Sequence, residues 1–273
     1  MTLPTIGLKN STKKRIASKM ATLSIVTICF NNLEEVKTTM ASVASQTRLP
    51  QEYWIIDGSK NSEIRDYLTE TDLPEYVKWI SERDNGISDG FNKGVTRCTK
   101  DVIHILNSGD FYFNEKSIEK VMAEFDADDA LMWTHGQFKQ FLGGHWIISG
   151  TAFDPDKLYM GMRQVAHPTM FLRKEVYDRI GLFPDDLRDA MDYDLLIRLR
   201  NEKFKYLETP ISVFTPGGNS EINWKRCFKE GMESYKKHVG NDWRLQLGYY
   251  KQLAVHAILD TPIGDALLKN RKG

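Results

Sequence analysis

Four apolar runs in the first 110 residues, each ending in a polar residue or running straight into one and separated from the next by a helical pattern, constrain the fold more than anything else in this chain. They are Leu23–Asn32, Glu52–Asp57, Val77–Ser81 and Val102–Leu106. From Glu34 to Gln46, Val36, Met40, Val43 and Ala44 recur at helical spacing, and helices around 62–69 and 89–96 fill the other gaps. Strands alternating with helices at this distance predict an α/β chain with a mostly parallel central sheet flanked by helices. Such sheets bind ligands at the carboxyl ends of their strands. Asn31, Asp57, Asp84 and Asp110 all fall where a strand gives way to a loop, which makes that edge the expected binding site.

The second half is less regular. Ile118, Val121, Met122 and Phe125 mark a helix, while Ala130–Thr134, Gln137–Phe141 and Trp146–Ser149 suggest strands. Asp192–Asn201 places Leu195, Leu196 and Leu199 on one helical face. Further on, Trp224, Cys227, Phe228, Gly231, Met232 and Tyr235 recur every three or four residues, so C-terminal helices are expected. The chain then divides into a basic lead-in (1–21), an α/β domain (22–220) and a helical extension (221–273).

Charge bears on partners. Lys plus Arg and Asp plus Glu number 37 each, so no overall field favours a polyanion, and nucleic acid is not an expected partner. The charges are unevenly placed, however: Lys9, Lys13, Lys14, Arg15 and Lys19 precede the first acid, Glu34, and Lys269, Arg271 and Lys272 lie near the other end. Such clusters can be drawn to anionic lipid, although a merely solvated tail is the commoner explanation. No run approaches the ~18 apolar residues of a spanning helix, and the start lacks the apolar core of a signal peptide. The expected location is cytoplasmic, with peripheral contact at the inner face of the plasma membrane. Cys29, Cys98 and Cys227 are odd in number and far apart, which argues against a disulfide framework or a zinc site.

Several segments carry groups suited to chemistry. Residues 81–94 form a polar, glycine-punctuated loop running into a helix start, and Asn107-Ser108-Gly109-Asp110 ends an apolar strand with one carboxylate. Two such edges can meet around a phosphate and its metal. The Phe30 ring suits a nucleobase or, equally, a strand end in the core, and Asn31 suits a ribose or a cap. Asp57 can accept from a base N–H or a ribose hydroxyl, or close an ordinary turn. Asp189, Asp192 and Asp194 open a helix, either as acids favoured by its dipole or as a source of catalytic base.

In order and spacing these segments resemble the inverting glycosyltransferases of family 2, of the bacterial surface-polysaccharide type, over roughly residues 22–220. The resemblance implies the GT-A fold, with a donor half at about 22–112 and an acceptor half at about 113–220. It also implies that Thr27, Phe30, Asn31 and Asp57 grip the nucleoside of the donor. Asp84 and Gly86, with Asn92 and Lys93, would form a second donor element in which a helix N-terminus and an ammonium favour the diphosphate. Phe91 stands where many relatives have arginine. Asp110 would hold Mn2+ or Mg2+, with Asn107 and Gly109 in place of the usual carboxylates. Asp192 would be the general base, with Met191 where many relatives have glutamate. His167 falls on the acceptor side, and Pro216-Gly217-Gly218-Asn219-Ser220 matches a glycine-bearing lid.

The implied reaction moves a sugar from a nucleotide diphosphate, by family habit a UDP-sugar, to a saccharide or lipid-linked saccharide with inversion, in surface-polysaccharide assembly. The alternative, supported by the thinned metal motif and the missing acid before Asp192, is a degenerate binding or assembly module that holds nucleotide sugars without turning them over. Residues 30–34 lack the basic, glycine-rich loop of a sugar nucleotidyltransferase and the Gly-x-Gly-x-x-Gly of a dinucleotide dehydrogenase.

Overall fold

A computed structural model describes residues 20–142, 144–215, 223–259 and 261. Almost all of the basic lead-in, the glycine segment 216–220 and the basic residues near the C-terminus lie outside the described residues. The first half follows the expected alternation: β1 (Leu23–Cys29), α1 (Leu33–Ala44), β2 (Glu52–Asp57), α2 (Glu63–Glu70), β3 (Val77–Ser81), α3 (Ile87–Arg97) and β4 (Val102–Ile105). These strands pair in parallel in the order β3-β2-β1-β4. Successive side chains of a strand face opposite ways, so Ile25 and Ile55 enter one core with Val36 of α1 and Ile64 of α2. Val26 and Ile56 enter the other, with Phe91 and Val95 of α3. Burial on both faces explains why the central strands read as unbroken apolar runs.

The second half completes a mixed nine-stranded sheet. It runs through β5 (Phe111–Tyr112), α4 (Ser117–Ala127), β6 (Trp133–Leu142), β7 (His145–Ser149), β8 (Phe171–Arg173), α5 (Lys174–Ile180), α6 (Met191–Arg198) and β9 (Phe204–Phe214). The short β8 lies antiparallel between β4 and β6, β9 runs parallel to β6, and β5 pairs antiparallel with the end of β9. Residues 130–141, expected as two strands, form one long strand from 133; its register with β9 shifts at 136–138, beyond which it pairs with β9 along one edge and with β7, as a hairpin, along the other. The helices α7 (Trp224–His238) and α8 (Trp243–Leu259) close the described chain. Tyr235 of α7 and Leu245 of α8 join the same apolar core as Leu195 and Leu196 of α6. No helix among the described residues is long and apolar enough to cross a membrane.

Candidate active site

The strand ends meet as the parallel sheet requires. Asp57, at the end of β2, is fully buried and accepts hydrogen bonds from the Ser59 N–H (3.0 Å) and the Ser81 hydroxyl (2.7 Å), which ties β2 to β3. Beside it lies Asp84: a side chain at Gly58 would overlap the Asp84 carboxylate, so only glycine allows this approach. Burial raises the Asp84 pKa, and the charges of Asp89 and Asp57 push the same way, against its bond from the Gly86 N–H and the nearby Lys93 ammonium. At the end of β1, Asn31 adopts a left-handed φ of 55°, a conformation asparagine tolerates. Its N–H donates to the Ser59 hydroxyl (2.7 Å) and its side-chain oxygen accepts from the Lys60 N–H (3.1 Å). Phe30, at 50% exposure, stands out on this edge and not in the core. Thr27 lies deeper: its buried hydroxyl donates to the Leu106 carbonyl (2.7 Å) and contacts the Tyr53 hydroxyl (3.0 Å), bracing the sheet beneath.

The start of α3 is fastened to the segment before α6. Gly86, with φ 124°, caps the helix and needs glycine for that geometry. Ser88 donates to the Leu187 carbonyl (3.0 Å), and Asn92 exchanges hydrogen bonds with the backbone of Phe183 (2.9 and 3.0 Å). Asn92 is therefore occupied in holding the 183–187 segment. Lys93 is likewise engaged, donating to the Arg83 carbonyl (2.6 Å) between the carboxylates of Asp89 (3.4 Å) and Glu82 (3.5 Å). The cation that does reach the helix start is exposed Arg188, whose guanidinium donates to the Asn85 carbonyl and fills the space over Gly86. Sequence reasoning gave Arg188 no role, because 103 residues separate it from Asn85.

Asn107, Phe91, Ile87, His167, Asp189 and Asp192 converge on a crevice of about 310 Å3, with Phe138 and Gln140 of β6 on its rim. His167 is stacked on Phe91 (5.1 Å between centroids), and burial lowers its pKa to about 4, so its imidazole is neutral at physiological pH. The turn carrying it is fixed from the sheet by His104, whose Nε2 meets the Pro168 carbonyl at 3.1 Å. A carbonyl only accepts, so the His104 proton sits on Nε2 and Nδ1 accepts from the Tyr112 hydroxyl (2.7 Å).

The three acids before and within α6 have separate fates. Asp189 is paired with Arg226 of α7. Asp194 is held by Arg198 (2.8 Å), the Ser234 hydroxyl (2.7 Å) and His238 (2.9 Å). Asp192 takes a hydrogen bond from the Tyr193 N–H (2.8 Å) and has no cation on it among the described residues. Burial raises its pKa to about 6, and the Asp189 charge pushes the same way. Its position is set by Glu230 of α7, whose Oε2 accepts from the N–H groups of Arg188 (3.0 Å), Asp189 (2.8 Å) and Ala190 (3.1 Å). A second cavity of about 260 Å3, with Met160, Met232, Leu245 and Tyr249 in its wall, opens on the same two acids, Asp189 and Asp192.

Asp110 is buried, and desolvation raises its pKa to about 7, against a hydrogen bond from the Thr215 N–H (3.0 Å). In the same turn the buried side-chain oxygen of Asn107 has no hydrogen-bond partner. These hard oxygens fit Mg2+ or Mn2+. No group of three His, Cys, Asp or Glu side chains able to hold a metal occurs among the described residues, so such an ion must complete its shell with phosphate oxygens and water. Among the described residues no hydrogen bond or ion pair joins Asp57 or Asp84 to Asp192; α3 and residues 183–188 connect the two regions.

The model of glycosyl transferase family 2 matches residues 24–181. An uncharacterised glycosyltransferase of Mycobacterium tuberculosis is 26% identical over 180 residues, 65% of this chain and 68% of the relative. Glycosyltransferase YwdF of Bacillus subtilis, also uncharacterised, is 26% identical over 212 residues, 73% of this chain and 76% of the relative. Among solved structures, S. aureus TarS 1–349 in complex with UDP-GlcNAc superposes with a TM-score of 0.59 at 13% identity, covering 91% of this chain and 78% of that one. The mannosyltransferase PcManGT from Pyrobaculum calidifontis, in complex with GDP-Man and Mn2+, gives 0.58 at 13% identity, covering 93% and 81%. The shared architecture is the GT-A fold.

Proposed function

Because the chain belongs to glycosyl transferase family 2, we propose that it transfers a sugar from a nucleotide diphosphate, taken as a UDP-sugar, to an acceptor hydroxyl with inversion, using Asp192 as general base. One observation carries this reading: of the three acids around the start of α6, Asp192 alone borders the crevice without a cation to neutralise it. A base must be ionised and near its working pH to take a proton, and a carboxyl raised to about 6 meets both conditions.

The nucleoside lies along Phe30, Asn31, Asp57 and Asp84, with Thr27 supporting that edge from beneath. The diphosphate faces Gly86 at the start of α3, where backbone N–H groups and the Arg188 guanidinium favour negative charge. Asn92 and Lys93 serve this element from behind, the first by holding residues 183–187 and the second by fixing the loop before α3. Asn107 and Asp110 would hold Mg2+ or Mn2+, which supplies counter-charge to the leaving diphosphate. Neutral His167 offers a hydrogen bond on the acceptor side. The acceptor hydroxyl enters from the Asp192 side, gives up its proton to that carboxylate and attacks the anomeric carbon opposite the departing diphosphate, which inverts the centre. Residues 22–112 act as the donor half and 113–220 as the acceptor half, and within the extension 221–273 it is α7 that braces the base. A saccharide or lipid-linked saccharide in surface-polysaccharide assembly is the acceptor class.

The test is nucleotide release from a panel of nucleotide sugars with Mn2+ and candidate acceptors, comparing wild type with Asp192→Asn. Donor affinity is expected to stay within about twofold while turnover falls at least about a hundredfold. Unchanged turnover removes Asp192 as the base. Donor binding without turnover by the wild type, whatever acceptor is offered, would instead favour the degenerate binding module.

A further inference from the structure

Two stretches of exposed apolar side chains flank the crevice and take no part in the chemistry above. In β7, three consecutive residues, Trp146, Ile147 and Ile148, are 49%, 37% and 54% exposed, and Phe141 and Leu142 stand exposed on the facing strand β6. Neighbouring residues of a strand point to opposite faces, so this hairpin is apolar and uncovered on both. Apolar side chains on both faces suit a fluid apolar phase, which covers both at once. Along α8, Trp243, Leu247, Tyr250 and Ile258 are exposed at intervals that form one stripe.

Charge favours the same occupant. No Asp or Glu occurs in residues 130–153 or in residues 243–259. Cations do occur: Lys139 lies over the Trp146 ring at 5.2 Å and Lys251 is exposed on α8, while Arg244 is paired with Asp242 (2.8 Å) just before the helix. Aromatic and aliphatic side chains edged by cations and free of carboxylates suit the interface of an anionic bilayer. Both stretches also lead into the site. Phe138 and Gln140 of β6 border the crevice, Leu245 and Tyr249 of α8 border the adjoining cavity, and Asp192 faces both.

We propose that the β6–β7 hairpin, assisted by the outer stripe of α8, seats the protein on an anionic membrane surface, with the Asp192 crevice opening beside the lipid. The seating is independent of the sugar-transfer reading; that the crevice thereby meets a membrane-anchored acceptor rests on that reading.

The full chain is tested by co-sedimentation with phosphatidylcholine vesicles containing about 30% phosphatidylglycerol. Working at about 0.5 M salt screens attraction through the basic lead-in. Tryptophan quenching by brominated acyl chains is read in parallel. Wild type is expected to pellet with the vesicles and to be quenched. The double variant Trp146→Ser/Ile148→Ser should lower the bound fraction at least about fivefold with its melting transition and nucleotide binding intact, whereas Trp146→Phe keeps vesicle binding. A double variant that pellets like wild type overturns the proposal, as does a wild type that stays in the supernatant unquenched. A wild-type dimer that the double variant converts to monomer without changing vesicle binding assigns the hairpin to a second copy of the chain, which also overturns it. Vesicle binding as expected in a protein that transfers no sugar leaves the seating standing and removes only the proposed activity.

Discussion

Replacing Asp192 by asparagine is expected to remove activity and, at the same time, to stabilise the fold. Burial moves this carboxyl from 3.8 to about 6, so in the folded protein it holds its proton more tightly than in the unfolded chain. A raised carboxyl pKa means that ionisation opposes folding: the cost is absent below pH 4, grows between 4 and 6, and is complete above 6. A shift of about two units corresponds to about 3 kcal/mol at most, and because Asp192 keeps partial contact with solvent, about 1–3 kcal/mol is the working range. Asparagine carries no charge yet retains an oxygen for the Tyr193 N–H, so it sheds the cost without losing that hydrogen bond. At roughly 2–4 °C per kcal/mol for a chain of this size, melting should rise by about 2–12 °C at about pH 7.5. The gain should shrink to about a third near pH 4.5, where the wild-type carboxyl is mostly protonated when folded. Melting curves followed by circular dichroism at both pH values decide the matter. A variant melting at or below wild type at the higher pH, or a gain indifferent to pH, would show that Asp192 carries no desolvation strain.

Three further expectations follow from the same geometry. Wild-type turnover should be flat above pH 6 and fall about tenfold per unit below it as Asp192 protonates, a limb absent from the residual rate of Asp192→Asn; a profile flat through pH 5 excludes this base. Glu230→Ala leaves three backbone N–H groups without their carboxylate and should cost about 3–5 kcal/mol in denaturant melts, and Glu230→Gln should lower turnover more than donor affinity; equal losses in both would make Glu230 a general support and not a positioning residue. Arg188→Met should weaken UDP binding about tenfold and leave uridine binding unchanged, by calorimetry, since only the former carries phosphates; a parallel loss for both ligands refutes its placement at the diphosphate.

The parallel half of the sheet was open to reading because its strands are buried on both faces. β2 and β3 coincide with the expected 52–57 and 77–81, and β1 and β4 end slightly earlier than expected. β9 is different. Lys205 and Glu208 interrupt its apolar pattern, and Pro210 sits where the register with β6 shifts, so the strand survives at a bulge that a sequence pattern does not disclose. β8, at three residues, is too short for any periodicity. Within the site, composition could not separate Asp189, Asp192 and Asp194, because Arg226, Ser234 and His238, which pair with two of them, lie on a helix some forty residues downstream. The engagement of Lys93 was more accessible, since Asp89 stands four residues before it on the same helix. Phe91 packs on His167, and the guanidinium that reaches the start of the same helix comes from Arg188.

The bond from Glu230 to the loop before α6 has a consequence for the order in which a ribosome delivers this enzyme. In the proposed reaction the residues assigned to the nucleoside and the metal are all made by residue 110, Arg188 and the base Asp192 follow much later, and the carboxylate that holds the loop before α6 comes 38 residues after that base. On that reading a growing polypeptide carries most of its donor contacts before its base is held in place, and a product cut short ahead of α7 is expected to bind the nucleotide better than it turns the sugar over.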